Sequence, residues 1–99
     1  MLEIKYGETG EIILSGRFDA SQEEKASAVF DALTVPGVVD LKQLDYISSM
    51  GLGILLKTQK RLMASSGGGL KLVNVNHHIN DIFRYSGFDQ IFEIQTSAT

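Results

Sequence analysis

Ser48 and Ser49 stand immediately before Met50-Gly51-Leu52-Gly53, and two adjacent hydroxyls at a helix entrance can do two kinds of chemistry. Either can cap the helix by accepting from a backbone N–H of its first turn. Either can also carry a phosphate, which the unpaired N–H groups and the helix dipole would receive well. Met50 can do neither, but it offers a flexible apolar group for packing or for a partner. Asp19 is a further candidate, although aspartate just before a helix is also an ordinary turn or cap residue. His77-His78 does not make a metal site, because neighbours on a helix diverge and no third ligand is close in sequence. His77 is better matched with Asp81, one turn further on. Gly67-Gly68-Gly69 follows a helical stretch and lacks a Gly-Lys-Ser/Thr ending, so it is a connector and not a phosphate loop.

The elements that must position these residues follow from periodicity. Leu2, Ile4 and Tyr6 alternate with Glu3 and Lys5, and Glu11–Ser15 is a second apolar run, so the two predict a hairpin across Gly7-Glu8-Thr9-Gly10. Gly16-Arg17-Phe18-Asp19-Ala20 leads to Ser21, a suitable cap for a helix over 22–33 that buries Ala26, Val29, Phe30 and Leu33. Glu23 and Glu24 in its first turn suit the dipole. After Pro36-Gly37, Val38-Val39-Asp40-Leu41 reads as a buried strand, followed by a polar stretch. The central helix spans 49–65 and turns Leu52, Ile54, Leu55, Leu56, Leu62 and Met63 inward. A fourth strand covers 70–75. Asn76 can cap a third helix carrying Ile79, Ile82 and Phe83, which Gly87 can end in a left-handed conformation. Ile91–Ile94 is a last strand, and 95–99 a frayed tail. The expected fold class is therefore α/β, with an N-terminal hairpin, helices alternating with strands, and a mixed, mostly parallel sheet.

Bulk properties narrow the function. A chain of 99 residues has room for one domain, expected to span 1–99. No apolar run is long enough for a membrane span, and Met1-Leu2-Glu3-Ile4-Lys5 does not read as a signal peptide. With no cysteine the chain has no disulfide framework or thiol chemistry, in keeping with a cytoplasmic location. A net charge of −3 gives no electrostatic reason to bind nucleic acid. No nucleophile, base and oxyanion arrangement can be assembled, so an enzyme is not expected and no cofactor is called for.

The phrase from Asp40 to Gly53 resembles the signature of the STAS family, best known from bacterial anti-sigma-factor antagonists. In those proteins the stretch reads Asp-Ser-Ser/Thr-Gly-Leu-Gly, and the second hydroxyl residue is phosphorylated. Three weaker motifs resemble the family in the same order: Gly16–Ala20, Gly69–Asn74 and Ile82–Phe88. The resemblance covers nearly the whole chain and implies the STAS fold, without the closing helix that many members carry. It also implies a regulatory binding module that docks on an anti-sigma factor or serine switch kinase, with a metal-dependent serine phosphatase resetting the cycle. The partner-facing residues would be Asp19, Ser48, Ser49, Met50, Gly51, Leu52 and Gly53. Here the usual phosphoacceptor position is Met50, which leaves Ser49, ahead of Ser48, as the acceptor still available.

Each of these residues has a plainer reading. Ser49 could serve only as the helix cap, Met50 as packing at the sheet edge, and Gly51 and Gly53 as small residues that let the helix start settle on the sheet. An alternative from another class is a STAS subunit regulating an ABC-type lipid transport complex, which would use the same surface on an ATPase. A third is a nucleotide-sensing domain, for which the chain shows no glycine-rich phosphate motif.

Overall fold

A computed structural model describes residues 1–97. The strands are β1 (Leu2–Tyr6), β2 (Ile12–Phe18), β3 (Val38–Ile47), β4 (Lys71–Val75) and β5 (Glu93–Thr96). The helices are α1 (Glu23–Asp31), α2 (Ser49–Ser66) and α3 (His77–Ser86). The sheet order is β1-β2-β3-β4-β5, with β1 antiparallel to β2 and every later pair parallel. The expected α/β architecture with its N-terminal hairpin is the observed one. Successive parallel strands joined by right-handed crossovers put their helices on one face. The buried residues accordingly form one cluster, drawn from the inner side of β1 to β4 and from Ala26, Phe30, Leu55 and Phe83 of the helices, with half-buried Ile94 of β5 packed against it. Ser15, Arg17, Lys42 and Gln43 stay at least partly exposed on the strands, as half-covered sheets require.

Strand limits differ from the expected ones for reasons the register makes plain. β3 does not stop at Leu41 but runs ten residues to Ile47. Its partner β2 advances from Ile13 to Ser15 while β3 advances from Asp40 to Gln43, and again from Gly16 to Arg17 against Leu44 to Tyr46. Each shift is a bulge in β3, so its buried residues Val39, Leu41, Leu44 and Ile47 leave the two-residue period after Leu41. β2 likewise continues through Gly16-Arg17-Phe18. Gly16 sits at φ 91°, and a Cβ there would meet the Met1 carbonyl oxygen at 2.3 Å, so only glycine lets β1 lie this close.

Helix α1 is shorter than expected and is not capped by Ser21. Asp19 instead caps a 3-10 turn over Ala20–Gln22, and α1 follows with no side-chain cap of its own. Met63 is exposed, not buried, on the solvent side of α2. The last strand comes two residues late. Phe88–Gln90 forms a 3-10 turn, Phe92 drops into the core, and Glu93–Thr96 pairs with β4. Gln95 and Thr96 thus belong to the sheet, while 98–99 lie outside the described residues. The caps expected at Asn76 and Gly87 are present: Asn76 Oδ1 accepts from the Ile79 N–H at 3.0 Å, and Gly87 adopts φ 78°.

Two long polar side chains of α2 satisfy backbone groups of other elements. Arg61 donates to the carbonyls of Phe30 (2.8 Å) and Leu33 (2.6 Å), closing the end of α1, which has no basic residue of its own in its last turn. Buried Gln59 accepts from the Leu70 N–H at 2.6 Å and donates to the Ile91 carbonyl at 2.9 Å. One amide therefore ties the entry of β4 to the approach of β5. Gln59→Leu keeps the volume but strands both backbone groups, at about 1–3 kcal/mol for each. Urea titration should show a lower midpoint at unchanged slope. A midpoint equal to wild type would mean that the amide is not what holds these two segments.

Candidate functional site

β2 and β3 finish side by side, with Phe18 in register with Ile47, and the Ser48 N–H donates to the Phe18 carbonyl at 2.9 Å. The residues that follow, Asp19 and Ser48, are therefore neighbours at the carboxyl end of the parallel sheet. The chain then turns into α2. Ser48 is the cap: it adopts an extended conformation, its Oγ accepts from the Gly51 N–H at 3.2 Å, and its carbonyl accepts from the Leu52 N–H at 2.9 Å. Of the two serines able to cap the helix, Ser48 therefore does so and Ser49 does not. Ser49 is exposed at the first helical position, and its hydroxyl makes no hydrogen bond among the described residues.

Gly51 is buried and serves packing. A Cβ at this position would lie 2.9 Å from Ile47 Cγ1 and 3.1 Å from the Phe18 ring, so the first turn of α2 rests directly on the two strand ends. Of the residues expected to face a partner, Gly51 is thus the buried one, with its place set by packing. Gly53 is the opposite case: it is exposed, and nothing lies within 4 Å of where its Cβ would be. Met50 and Leu52 are half-buried, packed against the margin of the core with part of each side chain outside. Met50 is thus anchored on the core and only partly exposed.

Asp19 forms the neighbouring wall. Its Oδ1 accepts from the Ser21 hydroxyl at 2.6 Å and from the Ser21 N–H at 3.1 Å. The Ser21 hydroxyl, with smaller help from its N–H, the chain's amino terminus and Arg17, holds the carboxyl below the ordinary aspartate value against a partial desolvation, so it is charged at neutral pH. Arg17 and Tyr46, one residue back on the paired strands, stack with the guanidinium carbon 4.4 Å from the ring centroid. That pair escaped the sequence reading, because only the bulged register brings the two together. Asp19-Ala20-Ser21, by contrast, carries a legible turn signal in its Asp-x-Ser spacing.

Two concavities, of about 410 and 300 Å³, are lined by Asp81, Arg84, Tyr85 and Asp89, and by residues of the 9–11 and 33–38 segments. Neither includes a residue of the α2 entrance. His77 meets Asp81 at 3.5 Å on the surface, and among the described residues no cluster of three metal-ligating side chains occurs. No described helix is long and apolar enough to cross a membrane.

Comparison with known proteins gives one consistent picture. A family model described as "Mlab, STAS domain" matches residues 4–95. A Bordetella bronchiseptica protein assigned as an anti-sigma factor antagonist, BtrV, is 35% identical over 88 residues, covering 85% of this chain and 75% of the relative. Two solved structures share the fold over nearly the full length. An anti-sigma-factor antagonist domain protein from Planctomyces limnophilus has a TM-score of 0.73 at 15% identity, covering 98% of this chain and 90% of that one. The anti-sigma factor antagonist SpoIIAA in its unphosphorylated form has 0.71 at 19%, covering 97% and 89%.

The contrast between the two glycines can be measured by thermal unfolding. Gly51→Ala drives a methyl into Ile47 and Phe18, and overpacking of this kind costs about 1–3 kcal/mol, more than the helix propensity it regains. Gly53→Ala meets open space and should instead stabilise by about 0.5–1 kcal/mol. Equal effects at both positions would contradict the seating described here.

Proposed function

The chain belongs to the STAS family, whose anti-sigma-antagonist members are non-enzymatic regulatory binding domains, and we propose that it works as a docking module on an anti-sigma factor or serine switch kinase. The observation that carries the proposal is the grouping at one sheet end of Asp19, the half-exposed apolar pair Met50 and Leu52, and open Gly53. A charged rim beside an anchored apolar patch is the composition of a protein interface, and the glycine leaves room for a partner to approach the α2 backbone. BtrV is assigned as an antagonist of an anti-sigma factor, and this supports the same class of partner here.

In this reading, control by phosphate falls to Ser49. A phosphate there would add roughly two negative charges beside Met50, and the apolar contact would be lost by repulsion and desolvation. Met50, in the position of the family's acceptor, keeps that position apolar whatever the state of the kinase. An apolar residue there also suits the second reading, a regulatory subunit docked through the same face on the ATPase of an ABC-type lipid transport complex. There no phosphate cycle is needed. A serine phosphatase belongs only to the first reading.

Two experiments test the face and the acceptor separately. Partners are first captured from the native host on the immobilised wild-type chain, then titrated by calorimetry. Met50→Asp should weaken binding at least a hundredfold while the melting temperature stays within a few degrees. Unchanged affinity would remove this face from consideration, and an ATPase as the captured partner would favour the transport reading. For the acceptor, a switch kinase from a related system is supplied with ATP. Met50→Ser should be phosphorylated faster than the wild type, with the new phosphate found on residue 50 by mass spectrometry. Equal modification of both proteins at Ser49 would show that the displaced hydroxyl already serves.

A further inference from the structure

We propose that the outer edge of β1 is a self-pairing surface held shut by Gln22 and Lys25, and that its occupant, once the edge is opened, is β1 of a second copy of this chain. β1 is the outermost strand, paired on one side only, with β2. The Met1 carbonyl accepts from the Arg17 N–H, and the Gly7 N–H donates to the Glu11 carbonyl. Odd-numbered residues therefore face β2, and Leu2, Ile4 and Tyr6 turn their N–H and C=O groups outward.

The outward groups of Leu2 are already taken. Its N–H donates to Gln22 Oε1 at 3.2 Å, and its carbonyl accepts from Lys25 Nζ. Gln22 is itself held, since its Nε2 donates to the Ser21 hydroxyl at 2.9 Å and that hydroxyl donates to Asp19. Among the described residues nothing engages the outward groups of Ile4 and Tyr6. Edge strands left in this state invite another strand.

Charge selects the register. With the two-fold axis on Ile4, antiparallel copies exchange hydrogen bonds at Ile4–Ile4 and Leu2–Tyr6. Glu3 then stands directly opposite Lys5 of the second copy, at the pair where side chains are closest. Glu3 and Lys5 meet at 3.3 Å within one chain, so both lie on the same side of the strand and the paired copies would interleave four alternating charges. With the axis on Lys5, the free groups of Ile4 and Tyr6 would suffice, but Lys5 would oppose Lys5. The favourable register thus needs the Leu2 groups, and those are the ones that Gln22 and Lys25 occupy. The edge is shut at the one place where pairing would work.

Sedimentation velocity over a concentration series tests this on the full chain. The wild type should remain monomeric at concentrations where Gln22→Ala/Lys25→Ala is mostly dimeric, a shift in self-affinity of at least tenfold. Adding Lys5→Glu to that variant should return it to monomer, by setting two carboxylates against each other. Adding Glu3→Lys as well should restore the dimer. Lys25→Gln alone should move the equilibrium the same way, and it decides the matter if the double variant does not fold. A folded variant that stays monomeric, a dimer indifferent to Lys5→Glu, or a wild type that dimerises as tightly as the variant would each overturn the proposal.

Discussion

The contact that the rest of this molecule depends on is the seat of Gly51 against Phe18 and Ile47. An α-helix can approach a sheet this closely only where its residue has no side chain. That requirement explains why β2 and β3 end together, since the two residues forming the seat are a register pair. It also explains the cap, because Ser48 must reverse the chain within one residue of Ile47 and still meet the Gly51 N–H. The direction of α2 follows, and with it the inward set Ile54, Leu55, Thr58, Gln59 and Leu62.

Once α2 is seated, its far half organises the opposite end of the fold. Arg61 reaches the last carbonyls of α1, while Gln59 reaches β4 and the turn before β5. The two lie only two residues apart on the same helix, so a tilt of α2 would break them together. Buried polar groups of this kind are costly when half-satisfied and specify a unique packing when complete. No buried side-chain nitrogen or oxygen among the described residues lacks a partner. The core thus holds the helix from one end by shape and from the other by hydrogen bonds.

Where structure is decided within a few residues, it was legible from the sequence. Asn76 and Gly87 bound α3 through their own capping chemistry, and Gly7–Gly10 turns the hairpin without outside help. Where the deciding atoms are distant, the reading failed. Nothing in Lys42-Gln43 announces that β3 continues, because the bulges are imposed by β2. Phe92 gives up the strand for the core by packing beside Phe88, with ring centroids 5.3 Å apart, and this delays β5. The candidate site divides the same way. Its location was written in Ser48–Gly53, but which serine caps, and which glycine is inside, depends on Phe18, thirty residues earlier in the chain.

That division bears on how a docking surface of this design can be controlled. A hydroxyl at position 50 would have to pack against the core margin and also accept phosphate, and desolvating a phosphate there would work against the helix seat. With methionine at 50 and Ser49 as the proposed acceptor, the two tasks would separate. Met50 holds its place by contact with the core, so a partner docking in the proposed mode would meet an apolar group already ordered and lose less entropy in binding it. Ser49 is turned away by roughly 100° along the helix, exposed and unbonded, where a phosphate would reach the helix N-terminus without disturbing Gly51. In the proposed mode of action, modification at Ser49 would therefore alter what the partner sees while leaving the fold that presents it intact.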